Sequence, residues 1–474
     1  MLNFFTKSNL LILISIFALS TLLRFYYFYH LDSWYDEWNM IYTVDPNITN
    51  EETWKRFFGD RGDHVLPEYY PPINAFILKY FLKFTGYYIE NARIYSLIFG
   101  CLSTFLIHIL YISISGNKKN YLAVFLFSIN LFLIWQSNEV RPHAFVVFFS
   151  LLNIILFIHL INGKLNIFFI TIYIGVSVLM LSSWPFTLTI FFGKTLYIFI
   201  HRKIKRIPLF KFFLIFFTIL CLYIFFNYDY LVYHLQRDSH YTILKLSFFT
   251  NFHFRSFFGS IFMGAIFLIL FAFILLKYIK KNIQDEDNSN ILFYIIISSY
   301  FLTILYSIFK AGVISPKYVI FVLPLIIVWI SHKIKYLKFN LIITILLVFF
   351  NLFNTSYFFF KNPIDRPPFK KVINIISESD SLNVATVDST VFINAFKSYK
   401  AFNEKKLVLI DLRPGKIEKK KFWFLCKNNP RFEVGNEIRP TEEKCKVMNN
   451  RKDFKEIKNI NIEDFILKQF IKNE

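Results

Sequence analysis

The stretch "SNLLILISIFALSTLLRFYYFYHLDSWYDEW", residues 8–38, decides how the chain is read. It is apolar over 9–29 and then, within a few positions, sets two adjacent carboxylates, Asp36 and Glu37, among Trp34, Tyr35 and Trp38. The apolar part matches the ~20 residues that cross a bilayer. It is too long for the apolar region of a signal peptide and lacks an Ala-x-Ala-like cleavage site, so we read it as a retained first span. An acid pair then stands where that span meets water.

The remainder of the sequence repeats the first feature. Of 474 residues, 55% are hydrophobic and 21% aromatic, more than a soluble core uses. Apolar runs near 94–114, 121–136, 142–162, 165–182, 184–200, 208–227, 256–277, 291–309, 316–331 and 339–358 join 9–29 to predict a polytopic α-helical membrane protein with about eleven transmembrane helices. In a soluble protein the formal charge of +21 would suggest nucleic acid. No nucleic-acid motif accompanies it, and much of the excess sits in short loops: "GNKKN" (116–120), "NGKL" (162–165), "HRKIKR" (201–206), "KYIKKN" (277–282) and "HKIKYLK" (332–338). Membrane lipid headgroups are the expected counter-charge.

These basic loops alternate with a set whose largest member, 30–93, is rich in acids. The excess of cations in cytoplasmic loops predicts a multi-pass protein of the cytoplasmic (inner) membrane, with its N-terminus inside and 30–93 outside. One run tests the count. "PPINAFILKYFLKF" (71–84) opens on two prolines and carries Lys79 and Lys83; as a span it would invert every later loop. It reads instead as an interfacial helix on the outer surface.

From about 359 the chain turns polar, and an odd span count places this part outside. "PPFKKVINIISESD" predicts a helix after a proline start, and "LNVATVD", "KLVLIDL" and "KFWFLC" predict short strands. The expected organisation is a transmembrane part, 1–358, followed by a small extracytoplasmic α/β domain, 359–474. Cys426 and Cys445 lie in that tail, and both a disulfide and two free thiols stand open for them. Cys101 and Cys221 lie inside apolar runs as small core residues. There is no Cys/His metal spacing, and no Walker A, GxSxG, HExxH or EF-hand pattern.

Five groups of residues remain for chemistry. Asp36 and Glu37 read either as a catalytic acid pair at the mouth of a cavity or as solvated loop acids, since Asp45, Glu51, Glu52, Asp60 and Asp63 follow in the same loop. Their aromatic neighbours fit both a cavity and the ordinary interfacial belt. In "WQSNEVRPHA" (135–144), Glu139, Arg141 and His143 surround Pro142, which opens the next helix. An arginine beside a helix N-terminus makes an anion site; the other reading is an arginine reaching to headgroups. Lys317 and Tyr318, in "KAGVISPKYVIFVLP" (310–324), begin a span from the outside, against the charge trend, which suits either a lipid-linked phosphate or a headgroup. Arg93, in "IENARIYS" (89–96), opens the second span, and Arg24 lies in the first, within reach of the outer face; ionisable groups in spans point to function. The outer loop "YHLQRDSHY" (233–241) reads as solvated.

"WYDEW" after a first span, "YYPPINAFILKYFLKFTG", "ENARIYSLIFGCLSTFLIHILY", "NEVRPHAF" and "SPKYVIFVLPLI" follow one another in an order that resembles the bacterial membrane glycosyltransferases of family 39. That family includes the protein O-mannosyltransferases and the transferase that puts aminoarabinose on lipid A. The resemblance covers about 1–360 and continues weakly into "DRPPFKKVINIISESDSLNVATVD". It implies the GT-C fold and a polyprenyl-phosphate sugar as donor, with the catalytic acid in an Asp-Glu pair that falls on Asp36 and Glu37. It maps the family's acid and Arg-Pro signature onto Glu139, Arg141 and Pro142, with His143 where a tyrosine is usual, and a later cation-tyrosine pair onto Lys317 and Tyr318. Many relatives place His or Lys directly before the Pro-Pro pair; this chain has Tyr70 there, with His64 and Glu68 nearby but out of register.

The reaction the resemblance implies moves a sugar to an acceptor protein, lipid or cell-surface glycan in the cell envelope. Asp36 would act as base, or would steady the sugar's positive charge if the acceptor is itself an anionic phosphate. Glu37 would orient it or bind the sugar. Arg141, Lys317 and Tyr318 would hold the donor phosphate, with Glu139, His143, Arg93, Tyr70 and His64 as further substrate contacts. No metal ligand set is read, and neither a protein-held cofactor nor a divalent metal is specified. Two other classes compete. A flippase of polyprenyl-linked sugars calls for an internal repeat and helices broken at matched positions, and neither is read. A glycan polymerase or ligase more often carries its main polar loop late, whereas here it comes first.

Overall fold

The computed structural model describes residues 7–58, 70–116, 120–163, 166–205, 208–236, 258, 260–280, 288–309, 317–361, 366–387, 390–412, 419–427, 445–448, 451–463 and 465–473. His64 and Glu68, and Arg237, Asp238 and His240 of the loop at 233–241, lie outside them.

Long apolar helices dominate. Six of them are long and apolar enough to cross a membrane: Leu10–His30 within the helix Lys7–His30, Ile89–Ser115, His143–Ile161, Leu209–Phe226, Ser289–Phe309 and Asn340–Phe360. Ile167–Leu181 and Ile261–Lys277 are apolar but shorter. Large side chains on their outer faces stay uncovered, among them Leu11, Phe168, Phe210, Phe217, Phe301 and Phe353, as expected of surfaces that meet lipid rather than water. At one close approach of two helices a glycine makes room. A Cβ on Gly193, in Leu188–Lys205, would stand 2.5 Å from the Ile295 backbone of the neighbouring helix.

Two expected spans take a different form. The run 121–136 is two short helices, Leu122–Ile129 and Leu131–Gln136, because Asn130 turns extended and its side chain accepts from the Leu133 amide at 3.0 Å. Asparagine is a favoured N-cap, and here it restarts the helix one residue after ending it. The run 316–331 becomes regular helix at Val322, so Lys317 and Tyr318 sit in the turns that precede it.

The segment "PPINAFILKYFLKF" forms Ile73–Thr85, 13 residues, or ~20 Å, short of the ~30 Å hydrocarbon core. Lys79 on this helix is buried, and its ammonium donates to the carbonyls of Ile48 (2.7 Å) and Thr49 (3.1 Å) and to the Thr53 hydroxyl (2.8 Å). That ties it to Asn50–Phe58, and Tyr35–Thr43 lies alongside through the Tyr87 hydroxyl on the Ile41 carbonyl, 2.8 Å.

After Phe360 come Phe369–Ser377, Thr390–Lys397 and Lys400–Glu404 and a five-stranded mixed sheet. Its strands are β1 (Asn383–Thr386), β2 (Val408–Asp411), β3 (Lys421–Lys427), β4 (Phe454–Ile462) and β5 (Phe465–Lys472), in the order β2-β1-β3-β5-β4. β1 runs parallel to β2 and β3, and β5 antiparallel to β3 and β4. The period of two sends Trp423 and Leu425 to the face that joins the main core, and Phe422, Phe424 and Cys426 to the other. Cys426 is joined to Cys445 as a disulfide.

This unit docks on the loop that follows the first helix. Trp38 meets Phe369 and Phe392 edge-on at 5.1 and 5.7 Å. The Tyr399 hydroxyl contacts Ser33 Oγ (2.6 Å) and donates to Asp32 Oδ1 (3.1 Å), and the Ile89 amide donates to the Ser398 carbonyl (3.0 Å). The loop, the corner before His143, the turns at Lys317 and the C-terminal unit therefore share one face of the molecule.

Candidate functional site

On that face seven charged groups converge. Glu37, fully buried in the first turn of Tyr35–Thr43, is their centre. Its Oε1 accepts from Arg93 Nε (2.9 Å) and the Val140 amide (3.1 Å), and its Oε2 from Arg93 Nη2 (2.9 Å), Arg366 Nη1 (2.7 Å) and the Trp34 amide (3.3 Å). Burial works against its charge, but Arg93, Arg366 and the Val140 amide outweigh that and hold the carboxyl below its ordinary value. With five donors on two oxygens, Glu37 is a fastened anchor.

Arg93 is equally committed. Beyond Glu37 it donates to the backbone carbonyls of Leu31 and Asp32 and is buried. The expectation of a substrate contact there meets a clamp that fixes the loop carrying Asp36. Arg24 also differs from expectation: it does not reach for the outer face, and its side chain is wholly buried among helices.

Arg366 was not legible in the sequence. It stands between the last long helix and the C-terminal unit, and it forks across two acids, with Nη1 on Glu37 and Nη2 on Glu139 Oε1 (2.7 Å each). Trp34 and Trp135 cover its guanidinium at 5.0 and 5.8 Å. Glu139 is fully buried. Its second oxygen makes no hydrogen bond among the described residues and lies 3.8 Å from Lys317 Nζ and 3.9 Å from His143 Nδ1.

Asp36 is the carboxylate of this group that faces outward; a third of its side chain is exposed. Lys317 Nζ stands 3.6 Å from its Oδ2 and 4.0 Å from the centre of the Trp34 ring. Burial again opposes its charge, but Arg141, Lys317 and Arg366 prevail, so Asp36 lies below the usual carboxylate range and is ionised at neutral pH. An aromatic wall flanks it. The Arg141 guanidinium lies over Tyr70 at 5.3 Å, Tyr70 meets Trp184 at 5.2 Å, and Trp184 stacks on Tyr318 at 5.6 Å while donating to its carbonyl at 2.7 Å. His143 meets Trp184 edge-on at 5.4 Å.

The structure thus brings Asp36, Glu37, Glu139, Arg141, His143, Arg93, Lys317, Tyr318 and Tyr70 to one place; His64 is outside the described residues. Three carboxylates meet four cations (Arg93, Arg141, Lys317 and Arg366), leaving one surplus positive charge, with His143 counted as neutral, beside the partly exposed Asp36 and Lys317. No group of three or more His, Cys, Asp or Glu side chains among the described residues is arranged to hold a metal ion. The surplus charge favours an anionic ligand over a cation.

No protein-family model matches the chain, and no curated protein does. Solved structures of the oligosaccharyltransferase from Archaeoglobus fulgidus are similar in part. One, named AglB and in complex with an inhibitory peptide and a dolichol-phosphate, is 10% identical over 83% of this chain and 64% of that one, with a TM-score of 0.44. Another, tethered to an acceptor peptide containing the NVT sequon, is 11% identical over 84% and 64%, at 0.42. A third, complexed with Zn and sulfate, is 11% identical over 87% and 67%, at 0.40. The chain spans less than two thirds of the first of these. At these values the likeness carries neither fold nor activity across, and the function has to be argued from the site.

Proposed function

We propose that the chain transfers a sugar from a polyprenyl-phosphate donor to an acceptor, in a GT-C-type arrangement of about eleven spans, at the extracytoplasmic face of the cytoplasmic membrane. The observation that carries this is the pairing of one outward carboxylate, Asp36, with a surplus of cations at the head of apolar helices. A lipid-linked donor cannot leave the bilayer, so its phosphate must be met at this depth. The order of motifs shared with family 39 points the same way. The Cys426–Cys445 disulfide suits an oxidising compartment on the side where the C-terminal unit docks.

Each residue takes a role from its surroundings. Lys317 and Arg141 face the opening and bind the donor phosphate, where negative charge grows as the glycosidic bond breaks. Tyr318, Trp184 and Tyr70 wall the site against water. Glu37, Arg93 and Arg366 hold the floor rigid. Asp36 has two tasks in sequence. While Lys317 and Arg141 attend to it alone, it is a weak base. Once a phosphate engages those cations, their hold on Asp36 relaxes and its proton affinity rises toward the range where a carboxylate takes a hydroxyl proton, typically worth ~10²–10⁴-fold. Donor binding thus readies the base for the acceptor, and the same carboxylate steadies positive charge on the sugar ring.

Reconstitution of the purified protein in liposomes with a panel of radiolabelled polyprenyl-phosphate sugars and envelope acceptors tests this. Label moves with wild type and not with Asp36→Asn, while Arg141→Ala binds donor more weakly and still inserts. Equal transfer by wild type and Asp36→Asn removes Asp36 from the chemistry. Passage of intact donor across the bilayer without transfer supports a transporter instead.

A further inference from the structure

Behind this site lies a second polar feature, independent of the reading above. Arg24 is fully buried inside the bundle. Its Nη1 donates to the Ser20 carbonyl (3.1 Å) and hydroxyl (2.5 Å) and approaches the Ser128 carbonyl (3.5 Å), one of those released by the helix break at Asn130. Thr355 takes the neighbouring Ile129 carbonyl at 2.7 Å. Helix capping therefore accounts for one nitrogen. Nε and Nη2, with three N–H bonds between them, are buried and make no hydrogen bond among the described residues. No carboxylate among the described residues acts on the guanidinium.

These nitrogens border a small cavity lined by Arg24, Gly100, Ser103, Phe127, Gln136 and Ser137. Gln136 is as buried as Arg24, and neither its Oε1 nor its Nε2 has a hydrogen-bond partner among the described residues. Glycine at position 100 keeps the space open: a Cβ there would stand 3.3 Å from Arg24 Nε and 2.3 Å from Ser137 Cβ. About 10 Å³ is free to the centre of a water-sized molecule, near the ~10–15 Å³ that one buried water needs. The space is about that of one water, so a polyatomic anion is excluded, which leaves a single water or a monatomic anion that, being larger than water, needs the lining side chains to give slightly.

Charge decides between those two. An arginine among apolar helices with no carboxylate beside it, only the Cys101 thiol, is costly, and a neutral water leaves the cost in place. We propose that Arg24 and Gln136 bind one halide ion, chloride in the cell, held by the free N–H groups of Arg24 and the amide of Gln136. Gln136 ends the helix that leads to Glu139, so the ion neutralises Arg24 directly behind the charged cluster.

The test uses the full chain purified in detergent. Thermal midpoints are measured against sodium bromide at constant ionic strength, with gluconate as balancing anion and sulfate as a size control, and bromide is located by anomalous diffraction. The expected result is a saturable rise with bromide and none with sulfate, and an anomalous peak between Arg24 and Gln136. Arg24→Gln loses the saturable response, and Gln136→Leu needs at least tenfold more bromide. A well-ordered water in place of the peak, or the same saturable response in both variants as in wild type, overturns the proposal. If Arg24→Gln fails to fold, an unshifted bromide midpoint in Gln136→Leu is enough to overturn it.

Discussion

Replacing Arg366 by glutamine removes the guanidinium that joins Glu37 to Glu139, and the structure says which acid suffers. Glu37 keeps both bonds from Arg93 and the Val140 amide. Glu139 keeps only Lys317 at 3.8 Å and His143 at 3.9 Å, both beyond hydrogen-bond length. A hydrogen bond to a charged group contributes ~1.5–3 kcal/mol, and stripping one partner from a buried pair costs about 3–5 kcal/mol. Arg366→Gln should therefore lose about 3–5 kcal/mol, a large part of the ~5–15 kcal/mol that holds a typical protein folded. Most of that loss is Glu139 left buried and charged with only the longer ion pair to Lys317, so Glu139→Gln in the same chain should return a good share of it. Unfolding of the four proteins by SDS in mixed micelles, followed by tryptophan emission, gives the cycle; Trp34 and Trp135 lie against the guanidinium and report on it. The expected coupling is ~2–3 kcal/mol, whereas independent sites add to within ~0.5 kcal/mol. Arg366→Lys should fall between, because one ammonium cannot fork across two carboxylates. Additive losses in the double variant would refute the bridge.

The pH response of Asp36 follows from its depressed carboxyl. A folded value below the unfolded one means that its ionised form contributes above the unfolded value, ~3.9, and the contribution fades as pH falls through the folded one. Lys317→Met removes one cation, so the acid limb of label transfer should move to higher pH; an unmoved limb would count against the pair. Asp32 has the opposite sign: burial raises it despite Lys370 and Arg93. Its charge is a burden at neutral pH that is relieved as pH falls through the raised value. Asp32→Asn keeps an acceptor for the Tyr399 hydroxyl (3.1 Å) and the Lys370 amide (3.4 Å), so its thermal midpoint at pH 7 should match or exceed wild type, and a fall would show that the charge itself is needed. Reducing the Cys426–Cys445 bond, which spans 19 positions, should lower the stability of the C-terminal unit by about 3 kcal/mol, the loop-entropy value for that length; a thermal melt with and without reductant reads it.

How far the sequence foretold this follows from the range of the interactions. Hydrophobic runs are local, so helices cover the expected runs, and Lys79 and Lys83 marked 71–84 as short of a span. Short runs rich in strand-forming residues are local too and announced β1, β2 and β3. β5, "FILKQFIK" (465–472), packs both faces, with Phe465 and Leu467 toward one core and Ile466 and Phe470 toward the other, and Lys468 and Gln469 interrupt its apolar run. The break at Asn130 carried a capping signal that the surrounding apolar run concealed. Asp36, Glu37 and the 139–143 corner stood out because acids and cations beside spans are conspicuous one by one.

Pairing was what could not be read. Arg366 is 329 positions from Glu37 and 227 from Glu139; in the sequence it is one basic residue before Pro367 and Pro368 in a polar stretch, with nothing to separate it from its lysine-rich surroundings. The prolines hold a clue in hindsight, since a residue before proline is held extended, as an arm reaching from the C-terminal unit into the site requires. The pairing of Arg93 and Arg24 was equally out of view. Both are arginines in spans, and a rule that attaches function to such groups cannot separate one clamped to Glu37 from one facing a cavity. What a buried cation does is fixed by the partner it has or lacks, and that partner lies on another helix.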